Sequence, residues 1–373
     1  MHRSRSAPPL ALLFVLPIVA ACTTREPGRH VSTSGKDTGD CLAAPCATIG
    51  YAVRQASPGD TISVDSGTYH ESLMVTKRLA LIGHHATIDA AGLASPPNGV
   101  QISGGGAAGT LVSGFTIENA GLEGIFALRT SKVVIENNTL FHNDAYGKSD
   151  SLCTKHQDDC GEAIHLQTVS GAVVRGNTVH NNLGGILLTD ETGPTRDNLI
   201  SDNTIGDNPS DCGITLASHW VDSSKVATAE VAGIYRNTVT RNTVSGSGGA
   251  GIGIFAAGPG GAAWGNIVDG NTVTKNGLAG LAIHSHAKFQ NVDGNVFRNN
   301  TVSGNATDAM NPADHQPAGI SIYSSVVPIR NTVVTGNTIS DEKVGIISQN
   351  VDPLTDLGSN TFAPSVAVKT QAH

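Results

Sequence analysis

One short phrase recurs along most of the chain: a small residue, usually Gly, then an apolar residue, one intervening position and a second apolar residue. It reads EGIFALRT at Gly124, EAIHLQT at Ala163, GGILLTDE at Gly185, CGITLASHW at Gly213, AGIGIFAA at Gly251, AGLAIHSH at Gly280, AGISIYSS at Gly319 and VGIISQN at Gly345. Successive copies lie 39, 22, 28, 38, 29, 39 and 26 residues apart. Units this small cannot bury an apolar face alone, so they must stack on one another. The shortest interval suits one bare coil, and the longer ones are coils with inserted loops.

Within each phrase apolar residues alternate with polar or small ones, as Ile214 and Leu216 do with Thr215 and Ala217. That is the period of a half-buried strand, and no long amphipathic helix pattern interrupts it. Forty-four Gly and only 4% aromatic residues would also suit a disordered chain, but 39% hydrophobic residues in strict alternation favour repetitive β structure. Short strands joined by Gly and Asn turns and stacked about 4.8 Å apart make a right-handed parallel β-helix, an all-β solenoid. A second tag, Asn-Thr followed by an apolar residue, begins at Asn138, Asn177, Asn203, Asn237, Asn242, Asn271, Asn300, Asn331, Asn337 and Asn360. These Asn are expected at left-handed bends, each amide bonded to its equivalent one coil away.

Residues 1–21 open with His2, Arg3 and Arg5, carry an apolar run from Leu10 to Leu16 and end before Cys22, the layout of a signal peptide. The run is too short to span a bilayer. VAAC, Val19 to Cys22, is similar to the lipobox of bacterial lipoproteins, which makes Cys22 the lipidated first residue of the mature chain; an ordinary secretory signal is the alternative. Residues 22–29 then read as a lipidated tether, 30–365 as one β-helix domain and 366–373 as a tail. The protein is expected to be exported, held to a membrane at the periplasmic face or cell surface, and monomeric.

Removing residues 1–21 deletes two Arg and no acid, so 23 − 2 = 21 basic residues face 31 acidic ones and the net charge moves from −8 to −10. Without a basic patch, nucleic acid is not an expected partner. In an oxidising compartment Cys41 with Cys46, and Cys153 with Cys160, could each staple a short loop. Cys212 then remains as a small buried hydrophobe.

VSTSGKDTGD, followed by ATIGYAVRQASPGDTISVDSGTYHESLMVTKRLALIGHHATIDA, resembles the N-terminal entry of bacterial right-handed β-helix proteins with the pectin-lyase-like fold. The later phrases resemble their repeat region, so the resemblance spans residues 30–362. It implies the fold but chooses no activity, because the superfamily holds polysaccharide lyases, hydrolases, epimerases and non-enzymatic proteins. It also implies that ATIGYAVRQA, residues 47–56, is a short helix covering the first coil, whose edge would otherwise lie open.

Aligning the phrases on their Gly or Ala sorts the outward residues into columns. Four places on, the column is read as Arg129, Gln167, Thr189, Ala217, Phe255, His284, Tyr323 and Gln349; six places on stand Glu191, His219 and His286; Asp190 lies five on and His165 two on. All come from one strand and its exit turn, so they share one edge of the solenoid. The inserted segments 142–160, 219–235 and 304–317 fall beside the same phrases and would wall a cleft for an extended polysaccharide. His165, Gln167, Trp220, Phe255 and His286 are expected to contact it. Trp220, Phe255 and Tyr323 would serve as stacking platforms, or would pack beneath the loops.

His284 and Tyr323 fall in one column of consecutive coils and are candidates for removing and returning a proton at a sugar carbon, as lyases and epimerases do. Asp190 and Glu191 are candidates for the acid and base or nucleophile of a glycosidase, for Ca²⁺ ligands, or for a plain turn. His219 joins the catalytic candidates; with His284, His286 and Glu191 it would make a metal site, but two coils separate His219 from His286, about 9.6 Å. The expectation is an exported protein that binds a polysaccharide and serves lyase, hydrolase or epimerase chemistry on it. The alternative is a non-catalytic carbohydrate-binding or metal-handling periplasmic β-helix protein.

Overall fold

The computed structural model describes residues 28–93, 97–143, 161–307, 318–354 and 357–372. Its strands pair in parallel throughout, each with its equivalent one coil away. One coil runs through a long strand, Gly184–Thr189, and three short ones, Thr195–Arg196, Leu199–Ser201 and Thr204–Gly206, before the next long strand begins at Ile214–Ser218. The architecture is the right-handed parallel β-helix that the phrase spacing implies.

The core consists of stacked columns. Ile186, Ile214, Ile252, Leu281, Ile320 and Ile346 line one interior wall and Val174, Ile200, Val239, Val268, Phe297 and Val334 another, each at most 1% exposed. Burial of this apolar area, at about 25 cal/mol per Å², is the main force holding coil to coil. The helix Ile49–Gln55 covers the first coil with Ile49, Ala52 and Val53, and the Glu71 carboxylate accepts the Ile49 and Gly50 N–H groups, each at 2.7 Å.

The Asn-Thr tags resolve into more than one ladder. Asn138, Asn177, Asn203, Asn242, Asn271, Asn300, Asn337 and Asn360 form one unbroken stack. Asn237 belongs to another, with Asn198, Asn266 and Asn295. Asn331 stands outside both: it is exposed with φ of 57°, and the buried residue at that bend is Thr332. Asn143, Asn182 and Asn208 form a further run, and Asn276 and Asn305, ending on Glu342, another; Ser247 stands on the coil between them, its N–H bonded to Asn276 Oδ1, and none of these Asn carries an Asn-Thr tag.

At seven of the eight bends of the stack from Asn138 to Asn360, all but that of Asn360, the left-handed residue is not the ladder Asn but the one before it: Asn137, Gly176, Asp202, Arg241, Gly270, Asn299 and Gly336 all have φ between 55° and 67°. The ladder Asn turns its amide inward instead. Asn271 donates from Nδ2 to the Val239 carbonyl and to Asn300 Oδ1, each at 3.0 Å, and its own Oδ1 accepts the Asn242 N–H and Nδ2 at 2.9 and 3.0 Å. Asn271→Ala strands those buried partners together, so chemical denaturation should show a loss of about 1–3 kcal/mol without any change in ligand affinity. An unchanged unfolding midpoint would show that the ladder does not hold the bend.

Residues expected as a tail instead carry the strand Val368–Ala372, parallel to Val344–Gln349. Its residues are mostly exposed and lack an apolar alternation, so only main-chain pairing with the last coil announces it.

Candidate functional site

The outward residues of the long strands carry the polar groups. Register places His165 beside Leu187 and Gln167 beside Thr189, with Phe126 and Leu128 on the other side. Leu128, not Arg129, therefore heads the column. Arg129 lies one residue further on, exposed within the strand Ile125–Ser131 with φ of 49°.

Glu123, His165, Gln167, Thr189, Glu191 and His219 come together in neighbouring coils. His165, 3% exposed, has Nε2 at 2.8 Å from Thr189 Oγ1, Nδ1 at 3.5 Å from Glu123 Oε1 and the Phe126 ring centroid at 5.0 Å. Glu191 is held from both sides: Oε2 accepts from Gln167 Nε2 at 2.7 Å, and Oε1 lies 2.9 Å from His219 Nδ1. The side chains of His219 and Glu191 keep 19% and 27% of their surface open. Burial would raise the Glu191 carboxyl, but hydrogen bonds from His219 and Thr189 and the charge on His219 outweigh it and hold the group well below the usual carboxylate range.

Asp190 has a different place. It is fully buried, and its carboxylate accepts four hydrogen bonds: Oδ1 from the His219 and Trp220 N–H groups at 2.8 and 3.0 Å, Oδ2 from Ser218 Oγ and the Gly233 N–H at 2.7 and 2.6 Å. One side chain thus ties together both ends of the insertion that leaves at His219 and returns at Gly233. Burial pushes its pKa up to about 6 despite those donors. With all four contacts made by N–H and O–H groups, Asp190 is offered to donors rather than to Ca²⁺. Buried there, it cannot reach a glycosidic bond on the face as acid or nucleophile.

The aromatic group lies further along the same face. His284 and Tyr323 are register partners, with ring centroids 6.1 Å apart. His284 is not a surface base, being 2% exposed beneath the Phe255, His286 and Tyr323 rings at 5.3, 5.8 and 6.1 Å. The exposed histidine is His286, whose ring lies 5.5 Å from that of the partly exposed Tyr323. Trp220 packs with Val226 and Trp264 on Ala227, Ala232 and Ala262, so it holds the insertion rather than presenting an open platform.

His219 and His286 remain on separate coils, and among the described residues no three His, Cys, Asp or Glu side chains are grouped to hold a metal. Cys41 and Cys46 are disulfide-bonded, with Cα atoms 5.2 Å apart, and Cys212 is a buried free thiol. Cys22, Cys153 and Cys160 lie outside the described residues.

Two acids were missed from the sequence. Glu123 and Glu162 are 4% and 3% exposed and immediately precede the small residue of their phrases. The Glu162 carboxyl lies over Gly184, where a Cβ would come within 2.0 Å of Oε2, so that coil needs glycine there. Their signal was available: in this column the other coils carry Gly184, Cys212, Ala250, Ala279, Ala318 and Val344.

The right-handed β-helix region family matches residues 85–302 and 221–362. No curated protein sequence matches the chain. Among solved structures, the Dettilon tailspike protein superposes with a TM-score of 0.54 at 16% identity, over 92% of this chain and 68% of its own. DFA-IIIase from Arthrobacter chlorophenolicus A6, in complex with GF2, superposes with a TM-score of 0.55 at 12% identity, over 84% of this chain and 80% of its own. At such identities the likeness concerns the fold. With matches that together cover well over half of its length, the chain belongs to the right-handed β-helix region family.

Proposed function

We propose that the outward face of the long strands binds a polysaccharide along the coil stack, and that His219 with Glu191 supplies acid–base chemistry on it. The observation that carries this reading is the 2.9 Å contact between His219 Nδ1 and an ionised, partly open Glu191. A carboxylate at Nδ1 keeps the proton there and leaves Nε2 as the basic nitrogen. His286 and Tyr323, two and three coils further on, offer aromatic surface on which a longer chain rests. The DFA-IIIase of the same fold was solved in complex with GF2, which is consistent with ligand binding on such a scaffold. Export and anchoring through Cys22 are part of the proposal and rest on VAAC at the end of the apolar run.

The test is the full chain against a polysaccharide panel, with both unsaturated products and new reducing ends measured, beside Glu191→Gln. Turnover of one glycan by the wild type, and its loss in the variant at an unchanged circular dichroism spectrum, is expected. A variant that keeps the wild-type rate refutes the role of the pair.

A further inference from the structure

His219 is gripped at two points by two successive residues of the preceding coil. Asp190 Oδ1 accepts its main-chain N–H at 2.8 Å, and Glu191 Oε1 lies 2.9 Å from its ring Nδ1. One contact fixes where the side chain starts and the other where the ring points, so together they set the direction of Nε2. The equivalent turn two coils on is held differently: Gln290, from the same turn, accepts the His286 and Ala287 N–H groups at 2.5 and 2.6 Å. Asp190 also binds the far side of the insertion. Its Oδ2 accepts the Gly233 N–H at 2.6 Å and Ser218 Oγ at 2.7 Å, and that hydroxyl accepts the Ala262 N–H at 2.8 Å. Between these ends the insertion leans on the next loop, the Asp222 and Ala227 N–H groups donating to the Pro259 and Gly260 carbonyls at 2.8 Å each. His219 is thus the first residue of a loop closed at its base by one carboxylate.

We infer that Asp190 is the positioning residue of the His219–Glu191 pair: it fixes the main chain of His219 so that the imidazole meets Glu191, and the pair is assembled only while the insertion 219–233 is closed on it. The chemical consequence rests on the reading of that pair as the acid–base site, whereas the assembly is a property of the chain alone. Buried beneath the turn, Asp190 reaches no ligand and acts through His219. A small displacement of the loop base is enough to turn Nε2 away from its target, because proton transfer requires hydrogen-bond reach.

The experiment follows the Glu191 carboxyl by carbon-13 NMR titration in the full chain, beside Asp190→Ala and Ser218→Ala. Burial raises the Glu191 pKa, but the hydrogen bond from His219 outweighs it, so in the wild type the signal should not move where ordinary carboxylates titrate. Taking away a neighbouring carboxylate would by itself lower that pKa further, whereas loss of the imidazole raises it. In Asp190→Ala an upward movement into the usual carboxylate range is expected, and kcat on the polysaccharide of the panel should fall by up to about 10²-fold with KM nearly unchanged. Ser218→Ala, which strands the Ala262 N–H but leaves both grips on His219, should leave the Glu191 titration in place. Where Asp190→Ala does not fold, Asp190→Ser, whose single shorter hydroxyl cannot span both sides, is read in the same way. An unmoved or lowered Glu191 titration in the folded Asp190 variant, or an equal movement in Ser218→Ala, overturns the inference while leaving the glycan reading standing. The expected movement in a chain that turns over no polysaccharide supports the inference and overturns the glycan reading alone.

Discussion

Asp190→Ala is expected to be the most destabilising single change on the functional face, lowering stability by about 3–5 kcal/mol in chemical denaturation. The carboxylate is fully buried, and its removal strands the N–H groups of His219, Trp220 and Gly233 and the Ser218 hydroxyl together. Each buried orphan costs about 1–3 kcal/mol, not additively, because the insertion relaxes once its ends are released. Proteolytic nicking within residues 219–233 should therefore rise in parallel. A loss under about 0.5 kcal/mol, as for an ordinary surface change, would show that the insertion is held by its apolar contacts instead.

Asp190 also carries a pH signature. Its folded pKa, about 6, lies above the ordinary 3.8, so the folded chain binds the proton more tightly than the unfolded one. The stability linked to this proton is present in full below pH 3.8, falls as pH rises through about 6 and is then constant, a change of roughly 3 kcal/mol. Glu191, held below its ordinary 4.5, acts in the opposite sense: its contribution is present above that value and is lost as acid protonates it. In Asp190→Asn the fall between pH 4 and 6 should flatten, and denaturation midpoints across that range will show it.

His219→Ala should reduce turnover of the glycan found in the panel by about 10²–10⁴-fold, the range expected for a general acid or base. Glu191→Gln removes the group that orients the ring, and the double variant should lose little beyond the worse single one, since the two act as a unit. Fully additive losses would separate their roles. His286→Ala offers a graded comparison: it sits two coils along the face, so it should weaken binding of longer chains more than it slows the chemical step. This ranking differs from the one suggested by the phrase columns, in which His284 with Tyr323 moved the proton and His286 only contacted the polysaccharide.

The reason for that difference is visible in the side chains. A column position tells whether a residue points inward or outward, and His284 does point outward. It says nothing of what lies above, and Phe255, His286 and Tyr323 close over the ring. Asp190 shows the same gap: a carboxylate next to Glu191 in an Asp- and Thr-rich turn looks like surface chemistry until the returning insertion delivers Gly233 to it. Glu123 and Glu162 lie one position before the small residue of their phrases, outside the columns that follow it.

What the amino-acid sequence determined by itself was the coil. Spacing, alternation and Asn tags are local properties, repeated in nearly every turn, and identical short strands can bury their apolar edges only by stacking in parallel. The ladder membership of Asn237, the exclusion of Asn331 and the pairing of Val368–Ala372 with the last long strand were decided by the tertiary structure. So was the meeting of Gln167, Glu191 and His219, which are contributed by three different coils. Such contacts depend on how many residues each insertion adds and where it returns, and neither quantity is periodic. The repeat could therefore announce a face, while only the packed loops chose which of its residues are buried, which are tethered and which remain open to a ligand.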